Sequence, residues 1–411
     1  MRQGGPEKNQ GKAGMRGRDK RSGYLPSLDG WRAIAILSVI CFHDRVHQFW
    51  IFSTSLIHQY GDLGVDLFFA ISGVLICSRL LEEERVTGGI SLKGFYIRRF
   101  FRICPPAWLY LIAYLVLSLF HLLPVDVGGL LASFLMVRNF WVSVAGDVPR
   151  TWYTIHFWSL SVEEHFYLLL PSLLIFVKRR RALLLGALSL AVMAWILLVT
   201  HYTGLRGQGI VLRTDMRIHA LLIPAMFAVL LTRQQVRAFV TRWLHPWVAA
   251  VLLFGAFFFL AHTHVHLFSL ATAFVIPVGF PLLVISTMLH PKSIACRVLE
   301  WRPLRFVGHI SYSLYLWQQL FFAGGRAPAA WPLSVLQIFP LNYIAAFACA
   351  TASYYLIEKP LIRVGHRVAH PATPGREDLN ETATPASTSG PAPQIAVADA
   401  PLAVSRAESQ S

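Results

Sequence analysis

The sequence predicts an all-α protein, a polytopic transmembrane helical bundle of about ten spans with both termini cytoplasmic. Three observations lead there. The chain is 55% hydrophobic and only 14% charged, where soluble domains carry about 25% charged residues. Its apolar runs recur at roughly 17–22 residues, the length that crosses a hydrocarbon core of ~30 Å. Its Lys and Arg residues gather on alternate connections, as the positive-inside rule requires. The alternating short strands of a membrane β-barrel are not visible. In a soluble protein the formal charge of +16 would suggest nucleic acid; here that asymmetry accounts for it, and no nucleic-acid partner is expected.

Residues 1–23 are rich in Gly, Lys and Arg without apolar periodicity and read as a disordered basic tail, followed by a membrane domain over 24–369. The first span is expected at 31–50. It lacks a small-residue cleavage site and reads as a retained helix rather than a signal peptide. The second covers 62–81, and 52–60 between them carries no Lys or Arg. The connection 82–104 holds Arg85, Lys93, Arg98, Arg99 and Arg102, so it is placed on the cytoplasmic side. The third span starts at Pro105-Pro106 and ends near Leu123.

Residues 129–145 are apolar but interrupted by Arg138, Asn139 and flanking glycines. As a span, they would put Lys178 to Arg181 outside. As an outer or re-entrant segment, they make 157–177 the fourth span and return that basic cluster to the cytoplasm. The second reading is adopted. The remaining spans then fall at 182–200, 216–232, 246–263, 268–289, 306–323 and 333–356. All but seven of the 37 Lys and Arg lie inside, the outer ones being Arg45, Arg138, Arg150, Arg206, Arg213, Arg217 and Arg326. Residues 370–411 are rich in Pro, Ala, Ser and Thr, too weakly hydrophobic to form a core, and read as a disordered cytoplasmic tail. Cys41, Cys77, Cys104, Cys296 and Cys349 contain no C-x-x-C pair, so neither a disulfide framework nor a metal site is expected.

Ionisable residues within spans are costly and point to function. Arg32, Arg98, Arg99 and Arg102 fall at the cytoplasmic face; His43, Asp66 and Glu163 fall in the outer halves of their spans. Arg32 and His43 are eleven positions apart, nearly one face of a helix, and about 16 Å apart along it. Such a pair suits a long substrate, charged at one end and reactive at the other. Juxtamembrane arginines ordinarily fix topology or meet anionic headgroups, but three within five residues exceed what orientation needs. A lone intramembrane histidine is as often an interhelical hydrogen-bonder. His156, Ser159, Glu163 and Tyr167 recur at helical spacing and make one polar face of the fourth span.

Six stretches together carry a family resemblance over about residues 25–367. They are Leu28-Asp29-Gly30-Trp31-Arg32 with its following His43, and Gly61 to Phe69 leading into Ile71-Ser72-Gly73. Next come Phe95 to Ile103 and Trp158 to Tyr167. The last two are Ile310 to Trp317 and Tyr355 to Pro360. In this order they resemble the integral-membrane acyltransferase family three, bacterial enzymes that O-acylate sugars and related hydroxyl compounds. The resemblance implies that Arg32 and His43 form the family's essential motif and that Arg99 and Arg102 form its second arginine motif. It also implies a multi-pass place in the bacterial inner membrane. The chain departs from the family pattern at His165, where Gln is usual, at Gln318, where His is common, at His219, where Asp is usual, and at Pro224.

Together these readings lead to the expectation of a membrane O-acyltransferase moving an acyl group, most simply acetyl, from cytoplasmic acyl-CoA to a hydroxyl of a glycan or glycoconjugate. Arg32, Arg98, Arg99 and Arg102 would hold the coenzyme's phosphates. His43 would act as general base, with Glu163 or Asp66 orienting it; a covalent acyl-histidine is the other open route. Ser159, Tyr167, Asp215, Arg217 and Tyr315 are the candidate substrate contacts. Two rival readings are a transporter or flippase for a lipid-linked sugar and an acyltransferase acting on a macrolide-type molecule. No internal repeat and no paired Gly/Pro-broken helices of the transporter kind are visible.

Overall fold

The computed structural model describes residues 25–44, 61–145, 148–203, 212–263, 274–324 and 334–369. The two expected tails and the expected outer connection 52–60 lie outside them. Among the described residues every regular element is helical.

Helix α1 (Pro26–His43) opens with Pro at its first position, where the missing N–H is no loss. It therefore starts five residues before the expected span. Helices α2 (Leu63–Thr87) and α3 (Leu92–Leu119) form a hairpin. Gly88 closes α2 in the left-handed conformation, at φ 80°, and Ser91 caps α3 by accepting from the Gly94 N–H. The charged connection expected at 82–104 is thus almost entirely helix. Helix α3 also runs through Pro105-Pro106, where the sequence placed the start of a span. A bundle satisfies the backbone groups that proline frees, so membrane helices tolerate such pairs.

Residues 129–145 fall on two short helices, α4 (Val127–Phe134) and α5 (Arg138–Ala145), each of eight residues. Neither is long enough to cross a bilayer. Helix α6 (Val148–Ile155) then leads to α7 (Phe157–Phe176) and α8 (Arg181–Thr203). Arg181 Nη2 donates to Glu84 Oε1 at 2.8 Å, so the α7–α8 turn and the α2–α3 turn sit at the same end of the bundle.

A single turn, α9 (Thr214–Arg217), precedes α10 (His219–Leu230). Helix α11 (Gln234–Trp243) has no buried residue and meets α12 (Pro246–Thr263) at a 77° bend. After α13 (Ile276–Leu289) and the short α14 (Ile294–Leu299) comes α15 (Arg302–Phe321). Helix α16 (Leu341–Ser353) continues through a π turn, Tyr354–Glu358, into α17 (Lys359–Ala369).

Among the described residues four helices, α2, α3, α7 with its preceding turn, and α8, are long and apolar enough to cross a membrane, or five with the bent α11–α12 pair. Helices α1 and α15 fall short of that measure for a physical reason. They carry polar residues on faces they turn toward one another, and α1 also packs on α2. The more apolar helices present Ile112, Val116, Leu168, Leu190 and Trp195 outward instead. Helix α2 in turn packs along α10, with Gly73 at the crossing. A Cβ on Gly73 would stand 2.6 Å from the Leu221 carbonyl oxygen, so only glycine permits that approach.

Candidate active site

Helices α1, α2, α3, α7 and α15 enclose a cavity whose polar lining is graded along its length. At one end stand three guanidinium groups, those of Arg32, Arg99 and Arg102. Each residue of the Asp29 to Arg32 run has a part in placing the first. Buried Asp29 accepts from Arg32 Nη1 one turn on, at 3.4 Å, and its other oxygen stands 3.2 Å from His309 Nε2. A Cβ on Gly30 would meet the Leu299 carbonyl oxygen at 2.3 Å, so the glycine lets α1 lie against α14. Trp31 Nε1 donates to Thr287 Oγ1 at 3.0 Å and ties α1 to α13. Arg99 lies over the Tyr167 ring, 5.2 Å from its centroid, and Arg102 is three positions on along the same helix.

Glu163 sits midway. Its carboxylate accepts from Ser72 Oγ at 2.8 Å and from Tyr167 Oη at 3.4 Å. Facing the arginines, it offsets part of their mutual repulsion. At the far end Ser159 Oγ and Tyr315 Oη are 2.6 Å apart, and Tyr315 also donates to the His156 carbonyl at 2.8 Å.

One turn beyond Tyr315 on α15 is Gln318, wholly buried, whose Oε1 stands 2.9 Å from His43 Nδ1. The edge of Trp152 packs on the His43 ring, with centroids 5.4 Å apart. His156 lies between this group and the cavity. It is 2% exposed, its ring contacts Tyr110 and Tyr315, and neither of its nitrogens has a hydrogen-bond partner.

The structure therefore brings Arg32, Arg99, Arg102, Ser159, Glu163, Tyr167 and Tyr315 to one cavity, with His43 in line beyond its end. Other candidates stand elsewhere. Arg98 pairs with Glu83 at 3.0 Å across the α2–α3 hairpin. Asp66 accepts from Arg217 Nη2 at 2.8 Å, so this carboxylate and guanidinium neutralise one another. Asp215 is held by Arg213 Nε at 2.9 Å and Trp195 Nε1 at 3.0 Å. The group at His43 Nδ1 is the amide oxygen of Gln318, while Glu163 is held by Ser72 and Asp66 by Arg217. Ser72 and the glutamine pair Gln318-Gln319 escaped the sequence reading. Ser72 lies in the Ile71-Ser72-Gly73 stretch, and Gln318 is visible in sequence only as a departure from the family pattern. Among the described residues no group of three His, Cys, Asp or Glu could hold a metal ion.

Guanidinium groups in this number suit a phosphorylated or carboxylated ligand, which they bind through paired hydrogen bonds. A histidine at the opposite end suits proton transfer. Comparison with known proteins agrees with that chemistry. The family model described as "Acyltransferase domain" matches residues 25–359. The peptidoglycan O-acetyltransferase OatA of Listeria monocytogenes is 28% identical over 369 residues, covering 83% of this chain and 56% of its own length. YrhL of Bacillus subtilis, provisionally named as a peptidoglycan O-acetyltransferase, is 29% identical and covered to 56%. A Staphylococcus aureus protein, provisionally named an O-acetyltransferase, is 27% identical and covered to 58%. The chain thus spans little more than half the length of these relatives. No solved structure matches it.

Proposed function

The chain belongs to the acyltransferase family whose domain it matches over residues 25–359, and from that premise we propose that it is a membrane O-acyltransferase that transfers an acetyl group from cytoplasmic acetyl-CoA to a hydroxyl of a cell-envelope carbohydrate. The names of its relatives make peptidoglycan the first acceptor to test. It sits in the bacterial inner membrane with ten spans and both termini cytoplasmic, flanked by tails at 1–23 and 370–411. The Lys and Arg asymmetry supports those sides.

One observation carries the reading: a cavity with three arginines at one end points along α15 toward His43 at the other. The coenzyme is an anion with a narrow arm and a reactive tip. About 90 Å³ of cavity admits a narrow chain rather than a nucleotide, so the phosphates stay at the arginine mouth. Arg32, Arg99 and Arg102 bind them, and the arm lies past Glu163 toward Ser159 and Tyr315. Arg32 and His43 both stand on α1, about 16 Å apart at 1.5 Å per residue, an interval that the arm can cover.

At the far end His43 takes the proton from the acceptor hydroxyl as the oxygen attacks the thioester carbonyl. The carbon–sulfur bond breaks, the thiolate leaves, and the proton on His43 is available to it. The Glu163 carboxylate, held by Ser72 and Tyr167, positions the arginines rather than the base.

Radiolabelled acetyl-CoA incubated with the purified protein and soluble peptidoglycan fragments tests the whole reading. Label is expected to pass to the glycan, with slow hydrolysis when the acceptor is omitted. Failure to consume acetyl-CoA, together with sugar uptake into vesicles holding the protein, would establish a transporter instead.

A further inference from the structure

The two glutamines beyond the cavity make a directed chain of hydrogen bonds. Gln319 Nε2 donates to the Trp152 carbonyl at 2.9 Å, and Trp152 Nε1 donates back to the Gln319 carbonyl at 3.1 Å. Gln318 Nε2 donates to Gln319 Oε1 at 3.0 Å. Gln318 Oε1 then faces His43 Nδ1 at 2.9 Å. Both glutamine side chains are fully buried, so no water competes for these positions.

The direction of this chain has one origin. The Trp152 carbonyl can only accept, so the Gln319 amide must turn its nitrogen toward it. Its oxygen then faces Gln318 and requires an N–H there, and the Gln318 oxygen is left for His43. An amide oxygen requires a donor, so the proton of neutral His43 sits on Nδ1 and the lone pair on Nε2. We propose that Gln319 and Gln318 are positioning residues that set the tautomer of His43 and so make Nε2 its basic atom. The proposal rests on the reading of His43 as the base.

An amide differs here from the carboxylate usual behind a catalytic histidine. It is polarised but uncharged, and unlike a carboxylate it can be reversed. Reversed, the Gln318 amide would present N–H to Nδ1 and select the opposite, unreactive tautomer. Gln319 and the Trp152 carbonyl keep it from turning.

The test uses the full-length protein labelled with ¹⁵N-histidine, with the His43 resonances identified by their loss in His43→Gln. In the parent protein neutral His43 is expected to show its proton on Nδ1. Gln319→Met releases the Gln318 amide, so the ring should shift to the Nε2–H form or to a mixture. With acetyl-CoA and soluble peptidoglycan fragments, kcat should fall by about tenfold or more while KM for acetyl-CoA stays unchanged. Should Gln319→Met fail to insert, Gln318→Leu removes the acceptor directly and carries the same expectations. An unchanged tautomer in either variant overturns the relay. A changed tautomer with undiminished kcat shows instead that His43 is not the base, which sinks the reading beneath it.

Discussion

His43 Nδ1 and Gln318 Oε1 meet at 2.9 Å across 275 residues of sequence. At the opposite end of the same two helices, Asp29 and His309 meet at 3.2 Å. These contacts hold α1 and α15 side by side and running in the same direction. Arg32, Ser311 and Tyr315, which line the cavity, lie between them. The fold thus brackets the cavity with polar contacts at both ends of one helix pair.

The first prediction concerns His43 itself. His43→Ala should abolish detectable acetyl transfer, since loss of a general base typically removes about 10²–10⁴-fold in rate. His43→Gln, which can still hydrogen-bond but takes no proton near neutral pH, should be as inactive while expressing and binding acetyl-CoA normally. A stable, substantially active His43→Gln variant would falsify the proton-transfer role.

At the arginine end the expectation is graded. Arg102→Lys keeps the charge but loses the planar fork, and Arg102→Ala loses both. Binding of acetyl-CoA to the purified protein should weaken in that order, while kcat at saturating donor changes less. Arg98→Ala should leave donor affinity nearly intact, because Arg98 is engaged with Glu83. Equal losses at Arg98 and Arg102 would mean that the helix end acts as a diffuse positive surface.

Asp66 and Arg217 are expected to act on stability. Asp66→Asn leaves a guanidinium without its counter-charge. The loss should be on the order of 2 kcal/mol, below the ~3–5 kcal/mol of a fully buried pair because Arg217 is 23% exposed. Thermal melts in detergent would read it, and the Asp66→Arg/Arg217→Asp exchange should recover part of it. A variant at Asp66 that melts normally yet transfers no acetyl would put Asp66 back in the chemistry.

Sidedness can be checked at the α7–α8 turn. Arg181 is paired with Glu84, so both turns share a side, which the proposed topology puts in the cytoplasm. A cysteine at Arg180, in a chain with Cys41, Cys77, Cys104, Cys296 and Cys349 replaced, should resist an impermeant reagent added to intact cells. Labelling from outside would invert the topology.

Helix identity and most of the cavity were legible in the sequence because both follow from local pattern. Arg32 and His43 share a face by helical arithmetic, and Ser159, Glu163 and Tyr167 do so by the same rule. The partners were not legible. Which group meets His43 depends on the packing of α1 against α15, and no spacing within one segment reports a contact between residues 43 and 318. Asp66 read as catalytic because a buried carboxylate is costly, and Arg217, which answers that cost, lies 151 residues away. Helix α3 also runs through the prolines at 105 and 106. Their helix-breaking effect is weighed against water, whereas α3 is packed among other helices.

Tyr315 and Gln318 stand three positions apart on a single helix, so the cavity's end wall and the amide behind His43 are set at one spacing. A slide of α15 by one residue, ~1.5 Å, would displace both together. On the roles proposed for the cavity and His43, a longer acyl group therefore cannot be admitted at this wall without also disturbing the base.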